Sequence, residues 1–215
     1  MLNIKTMSVK LWYKHLLEVQ MTHTEPEDPS ALVPCRVERL APSIDWGRSW
    51  LAVCVPGLTP EMRSFLWKML HCILPTQDRL HRMNMPNASS PLCVQCTAGK
   101  LDDIEHALLR CSKIKPGADF LLKTLKSEIP DLTLERIKYL DFRTEDLLVP
   151  TYLTAATLSQ LWISRICSRN FSWQSIRSNV EQSILLLRKS RYKVAASKLH
   201  CMWNANALVH DTVEN

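Results

Sequence analysis

Apolar residues recur at the spacing of an α-helix through most of this 215-residue chain. The first such stretch predicts a helix over residues 6–20. The residues after it, 21–31, are acidic, contain proline and have no period, which is typical of a linker. Residues 31–40 are the best candidate for extended structure, although Pro34 would confine such a strand to a sheet edge because proline lacks an N–H. The pattern therefore predicts an all-α protein with little or no β-sheet.

The clearest helix start lies at Thr59. Its hydroxyl can accept a hydrogen bond from the first turn, Pro60 suits the first helical position, and Glu61 complements the positive end of the helix dipole. The apolar positions that follow have helical spacing and predict one buried face. That face consists of Met62, Phe65, Leu66, Met69, Leu70 and Ile73.

Pro75 is predicted to end this helix, and Thr76 to cap a short one after it. Residues 172–200 are predicted to form the last and longest helix, with one apolar stripe that needs a partner. Because the connection to the preceding helix is short, packing within the same domain is favoured over a dimer interface. The apolar stripe of the helix at residues 172–200 consists of Ile176, Val180, Ile184 and Leu187. Further helices are predicted at residues 77–83, 118–129, 133–140 and 152–169.

The composition is that of a folded, basic protein without a nucleotide-binding loop. Hydrophobic residues make up 46% of the chain, enough to bury a core, and 4 glycines are too few for a glycine-rich phosphate loop. The 27 Lys and Arg exceed the 21 Asp and Glu, which gives a net charge of +6, and most of the excess lies within residues 151–215. Such a local basic surface favours phosphate binding but also suits a solvated helix face, so both interpretations stay open.

The 8 cysteines raise the question of disulfide bonds or metal binding. Lys5, Lys10 and Lys14 interrupt the first apolar stretch, so no signal peptide is predicted, and no uncharged run of about 18 residues could span a bilayer. We expect an intracellular protein, nuclear or cytoplasmic and not secreted, whose thiols are reduced. Metal binding is therefore favoured over a disulfide framework, and no membrane partner is expected.

Four residues have the spacing of a zinc site, C-x2-C-x9-H-x4-C. They are Cys93, Cys96, His106 and Cys111. Two cysteines separated by two residues can direct both sulfurs at one ion, and Gly99 allows the chain to reverse after them. Four protein ligands complete a tetrahedron, so the Zn²⁺ is expected to be structural and not catalytic. The alternatives are unrelated residues of a helical core and a redox Cys-x-x-Cys, which the lack of a βαβ pattern disfavours.

A short helix is predicted between the second and fourth of these ligands. Asp102 can cap its start, and Glu105, three residues on, can complete a capping box, so the adjacent Asp102 and Asp103 are not interpreted as catalytic carboxylates. This helix would present His106. Five residues further along an ideal helix is about 7.5 Å away and on the wrong face. Cys111 is therefore expected just past the helix end, where the chain bends back.

A resemblance to a known family is carried by three strings: MRSFLWKMLHCILPTQDRLHRM at residues 62–83, and LCVQC and DIEHALLRC around the ligands. They resemble the zinc-binding segment that follows the reverse transcriptase domain in non-LTR (LINE-type) retrotransposon polyproteins. LWISR at residues 161–165 and LWYKHLLE at 11–18 also resemble parts of such proteins. The resemblance implies a C-terminal fragment of the element's replication protein, whose zinc segment helps to hold RNA or target DNA. The polymerase and endonuclease domains would lie elsewhere, so no enzymatic activity is expected here.

RNA or DNA is the expected partner, together with other domains of the polyprotein, and no small-molecule substrate is expected. Zinc with three thiolates and a neutral imidazole has a net charge of about −1, so phosphate binding needs nearby cations. The alternative is a structural or protein-interaction module held together by zinc, without nucleic-acid binding. For Trp67 and His71, packing on a neighbouring helix and partial burial are favoured over base stacking. The residues expected to contact phosphate are Arg79, Arg82, Lys100, Arg110, Lys113 and Lys115.

The predicted organisation has four parts. An N-terminal helix with a linker and an extended segment occupies residues 1–58, and a helical zinc-binding segment with a small CCHC zinc knuckle occupies residues 59–115. A C-terminal helical segment spans residues 116–203, and a flexible tail spans residues 204–215.

Overall fold

The computed structural model of this chain describes residues 41–96, 98–167, 172–189 and 191–207. In those ranges the backbone forms α-helices and one turn of π-helix, and its only β-pairing is an isolated bridge between Leu92 and Leu101. The prediction of an all-α fold is therefore confirmed. The helix, linker and extended segment predicted within residues 1–40 lie outside the described residues. The helices are α1 (Trp46–Val53), α2 (Pro60–Leu70), α3 (Gln77–Arg82), the π-turn (His106–Arg110), α4 (Lys115–Lys126), α5 (Leu134–Lys138), α6 (Leu148–Ile166), α7 (Trp173–Lys189) and α8 (Lys193–Ala207).

Helix α6 lies at the centre of the described fold. Its residues 149–159 are all buried, because α1, α2, α4, α7 and α8 pack around it. Its sequence is largely apolar, although the buried residues include Thr151, Thr154 and Thr157. Its last turn carries Arg165 to the π-turn, so the core helix also reaches the predicted metal-binding segment.

Helix α2 begins as the sequence predicts. The Thr59 hydroxyl accepts a hydrogen bond from the backbone N–H of Met62 at 3.3 Å, with Pro60 in the first turn. The predicted apolar face is buried except for Ile73, which is half-buried and lies beyond the helix end. The helix ends at Leu70, before Pro75, because the chain reverses at Cys72 with a φ of 53°.

Helix α3 also begins where predicted, but it is one residue shorter than expected. The Thr76 hydroxyl accepts from the backbone N–H of Arg79 at 3.4 Å, and the helix ends at Arg82.

The single long helix predicted at residues 172–200 is wrong, because the chain forms two helices there. Helix α7 ends at Lys189, and Arg191 and Tyr192 lie outside any helix before α8 begins. The reversal lets α8 pack on α7, α6 and α4, where Phe120 contacts Trp173 and Trp203 at ring-centre distances of 5.0 and 5.3 Å. A continuous helix would leave the apolar side of α8 in solvent. The predicted stripe of α7 is buried, and α7 packs on α6 as expected.

Helix α1 was not predicted from the hydrophobic pattern. The signal that could have found it is Asp45, whose carboxylate accepts from the backbone N–H of Arg48 at 3.1 Å and caps the helix. Arg48 also donates to the carbonyl of Thr144 at 2.8 Å, which ties α1 to the loop before α6. Among the described helices, none combines the length and the apolar character that crossing a bilayer requires.

Candidate metal centre

Cys93 and Cys96 lie in a short knuckle that the backbone holds closed. The N–H of Cys93 donates to the carbonyl of Lys100 at 2.8 Å, and the N–H of Asp102 donates to that of Pro91 at 2.9 Å. Gly99 has a φ of 57°, a conformation that glycine adopts without steric cost. The chain therefore reverses between the first two cysteines and the segment that carries the histidine.

The π-turn positions the other two residues. Asp103 accepts a hydrogen bond from the backbone N–H of His106 at 2.8 Å, which starts the turn. The N–H of Cys111 then donates to the carbonyl of His106 at 2.8 Å, a pairing of residues five apart. In an α-helix a residue five positions on is rotated by about 140°, whereas the wider π-turn brings it back towards the starting face. Cys111 follows the end of the turn with extended backbone, as the spacing predicted, but the π geometry was not predicted.

The structure brings together the four side chains predicted to bind zinc. One ligand atom from each of Cys93, Cys96, His106 and Cys111 lies within 4.8 Å of all the others, and all four residues are buried. The sulfurs of Cys93 and Cys111 are 3.9 Å apart, and the Cys96 sulfur is 3.4 Å from Nε2 of His106. Bonds of 2.3 Å to sulfur and 2.0–2.1 Å to nitrogen around a tetrahedral zinc give edges of about 3.5–3.8 Å. The donor set suits a zinc ion, and the two individual distances, 3.9 Å and 3.4 Å, are close to those edges.

The thiols differ in how readily they lose a proton. A hydrogen bond from the backbone of Ala98 lowers the pKa of Cys96. Burial raises the pKa of Cys111 to about 11. Cys96 therefore forms a thiolate more readily than Cys111, which is protonated until a metal ion displaces its proton.

Asp102 does not cap the helix that carries His106, which corrects the prediction. Asp103 has that role, and Asp102 is 1% exposed and turned towards two other parts of the chain. One carboxylate oxygen accepts from the backbone N–H of Gln77, the first residue of α3, at 2.8 Å. The other forms an ion pair with Arg165 of α6. Asp102 thus caps a different helix, 25 residues earlier in the chain.

The predicted capping box at Glu105 is also wrong. Its carboxylate forms ion pairs with Arg110 at 2.5 Å and with Lys138 of α5 at 3.5 Å. The first pair joins the residue before the π-turn to the last residue of the turn, and the second joins the start of the turn to α5. Lys138 also lies over the ring of Tyr139, 4.7 Å from its centre. Glu105 therefore links the metal-binding segment to α5 instead of closing its own helix start.

Five of the six side chains predicted to contact phosphate are exposed. Arg82 pairs with Asp78 at 2.6 Å and Arg110 pairs with Glu105, so these two arginines are partly neutralised. The half-buried Arg79 donates to the carbonyl of Cys72 at 3.2 Å, which gives it a structural contact. The remaining three, Lys100, Lys113 and Lys115, are exposed on the knuckle and on the segment that follows Cys111.

Trp67 and His71 form an aromatic contact at the end of α2. Their ring centres are 4.2 Å apart, and Trp50 of α1 lies 5.1 Å from the same imidazole. Trp67 is 46% exposed, and its ring contact is with His71, just past the end of the same helix. His71 is half-buried as expected, and burial lowers its pKa.

The fold and the cluster define a helical protein with a buried Cys3His site suited to a metal ion. Residues 42–116, about a third of the chain, match the family model described as zinc-binding in reverse transcriptase. The resemblance to a reverse-transcriptase zinc-binding segment is thereby confirmed for that range. Searches of curated proteins and of solved structures gave no match.

Proposed function

We propose that this chain is a zinc-stabilised, non-catalytic module that binds RNA or DNA, and that it derives from the replication protein of a LINE-type retrotransposon. The observation that carries the proposal is the coincidence of the Cys3His cluster with a matched reverse-transcriptase zinc-binding segment. All four cluster residues are buried and each offers one ligand atom, so the bound Zn²⁺ would be structural. Cys93, Cys96, His106 and Cys111 would hold it.

The charge around the cluster supports a polyanionic partner. Zinc with three thiolates has a net charge of about −1, which repels phosphate unless cations outweigh it. Lys100, Lys113 and Lys115 are exposed close in sequence to the ligands. Arg82 and Arg110 add positive charge, although each also contacts a carboxylate. Contacts of this kind bind phosphate without reading sequence, so we expect affinity that depends strongly on salt.

Filter binding of the zinc-loaded full chain to RNA and to DNA of the same sequence, at rising salt, tests the proposal. We expect binding at low salt, and we expect the logarithm of the association constant to fall linearly with the logarithm of the salt concentration. Lys113→Glu with Lys115→Glu should weaken binding and reduce the salt slope. The control is Lys123→Glu with Lys126→Glu, which makes the same charge change at exposed positions near the end of α4. Absence of binding at low salt would overturn the proposal.

A structural or protein-interaction module is the second candidate, and exposed apolar residues favour it. Leu51 is 61% exposed and Trp67 is 46% exposed, both on the pair of helices α1 and α2. If the Lys113 and Lys115 variant binds nucleic acid as the unaltered chain does, and Cys96→Ser unfolds the chain, the role of the zinc segment is structural.

A further inference from the structure

Arg165 connects the last turn of the central helix to the candidate metal centre. One terminal nitrogen of its guanidinium donates to the sulfur of Cys93 at 3.5 Å and forms the ion pair with Asp102. The Arg165 side chain is 7% exposed and that of Asp102 is 1% exposed, so water screens neither charge well. Arg165 closes the LWISR string of residues 161–165, 72 residues beyond Cys93.

A second contact holds α6 to the knuckle. The side-chain amide of Gln95, which lies between the two knuckle cysteines, donates to the backbone carbonyl of Arg165 at 3.4 Å. The other terminal nitrogen of Arg165 is buried and has no hydrogen-bond acceptor in the part of the chain that the structure describes. A buried guanidinium with a donor to spare beside the cluster is suited to neighbours that bind a metal ion as thiolates.

Metal binding changes the charge that Arg165 faces. With neutral thiols, the guanidinium has one carboxylate partner among the described residues, Asp102. With zinc, three thiolates and one imidazole, the cluster has a net charge of about −1, and the guanidinium lies against one of the thiolates. A hydrogen bond to a thiolate is stronger than one to a thiol, so the contact with Cys93 favours the metal-loaded state.

We propose that Arg165 is a positioning residue of the metal centre. It donates to the Cys93 thiolate, and it orients Asp102 so that the carboxylate caps α3. The metal-binding unit therefore extends to α6, well beyond the matched residues 42–116. This inference rests on the zinc binding of the proposed function.

Two variants of the full chain with the same residue at position 102 isolate the role of Arg165. Asp102→Asn keeps an acceptor for Gln77 and removes the buried negative charge. Asp102→Asn with Arg165→Met then removes the guanidinium without leaving a carboxylate unpaired. Zinc affinity is measured by competition with a chromophoric chelator. We expect affinity about 10- to 100-fold lower in the double variant than in Asp102→Asn, the range seen when groups behind metal ligands are lost.

The thiolate-to-cobalt charge-transfer band of the Co²⁺-substituted chain gives a readout that a loss of stability alone does not move. We expect the band at lower energy in the double variant, because the Cys93 thiolate loses a hydrogen-bond donor. The control is Arg136→Met, which removes another arginine from a buried partner, Asp141, but contacts no ligand. It should leave zinc affinity within about twofold and the band unmoved.

The outcomes separate the inference from the proposed function. If the unaltered chain binds no zinc, both fail. If it binds zinc and the double variant has the affinity and the spectrum of Asp102→Asn, the inference alone is overturned. Should the double variant fail to fold, Asp102→Asn with Arg165→Leu removes the donor with a smaller apolar side chain, and unchanged affinity there would equally overturn it.

Discussion

The hydroxyl of Tyr152 donates a hydrogen bond to the carbonyl of Pro56 at 2.8 Å. This contact joins the central helix α6 to the turn between α1 and α2. The same hydroxyl lies against Gly57, where an added Cβ would be 2.2 Å from the Tyr152 oxygen. Gly57 also has a φ of 85°, so both the backbone and the neighbouring hydroxyl favour glycine.

Gly57→Ala should lower the free energy of unfolding by about 2–5 kcal/mol, the sum of left-handed strain and overpacking. Chemical denaturation measures the loss. Gly99→Ala is the matched control, because Gly99 has a similar φ of 57° but no atom within 4 Å of an added Cβ, so only the strain of about 1–2 kcal/mol applies. In the Tyr152→Phe background the cost of Gly57→Ala should shrink, because the clashing oxygen is gone. Equal costs for Gly57→Ala and Gly99→Ala would contradict the assigned contact.

Removing the metal should destabilise the chain. Because the three cluster cysteines come together in the folded state, the proposed zinc binding would contribute to folding, and chelation should lower the melting temperature. Cys111→Ser should abolish zinc binding, read as the zinc content of the purified chain. Cys201→Ser, at an exposed thiol of α8, should retain one zinc per chain. A zinc content that is the same in both variants would remove Cys111 from the ligand set.

Acid should weaken the contact between α1 and α2 through His71. Burial lowers the pKa of this imidazole, which lies between the rings of Trp50 and Trp67. The unfolded chain therefore takes up the proton first, near pH 6.5. The stability contributed by neutral His71 is complete above about pH 6.5 and is lost as the pH falls towards the folded-state pKa. In His71→Gln that part of the acid dependence should disappear, and unfolding curves at pH 7 and pH 5 should differ less than those of the unaltered chain.

Thr59→Ala should cost about 1 kcal/mol, because the N–H of Met62 loses its acceptor at the start of α2. Ser64→Ala, at an exposed position of the same helix, should change the free energy of unfolding by about 0.5 kcal/mol or less. A loss for Thr59→Ala as small as that for Ser64→Ala would show that the cap contributes nothing measurable.

Local signals account for the parts of the fold that the sequence predicts. The caps at Thr59 and Thr76 depend on hydrogen bonds to residues three positions on, so a short stretch contains all the information. The four cluster residues lie within residues 93–111, so their zinc-site spacing is also a local feature of the sequence. Asp45 carries the same kind of local signal for α1, a helix of only 8 residues.

Contacts between distant residues account for the parts that the sequence does not predict. Asp102 has the local surroundings of a helix cap, yet its partners are Gln77 and Arg165, 25 and 63 residues away. The break after Lys189 has no local signal either, since residues 186–200 contain neither proline nor glycine. Packing of α8 on α7, α6 and α4 determines where that chain reverses.

The position of Arg165 also sets an order of events during synthesis. The four cluster residues leave the ribosome together, whereas Arg165 follows Cys93 by 72 residues. On the proposed zinc binding, the knuckle and the π-turn can capture the ion while the chain is still growing. The guanidinium that balances the negative charge of the zinc–thiolate cluster arrives only when the last turn of α6 is made. The nascent chain would therefore hold zinc loosely at first and tightly once its central helix is complete.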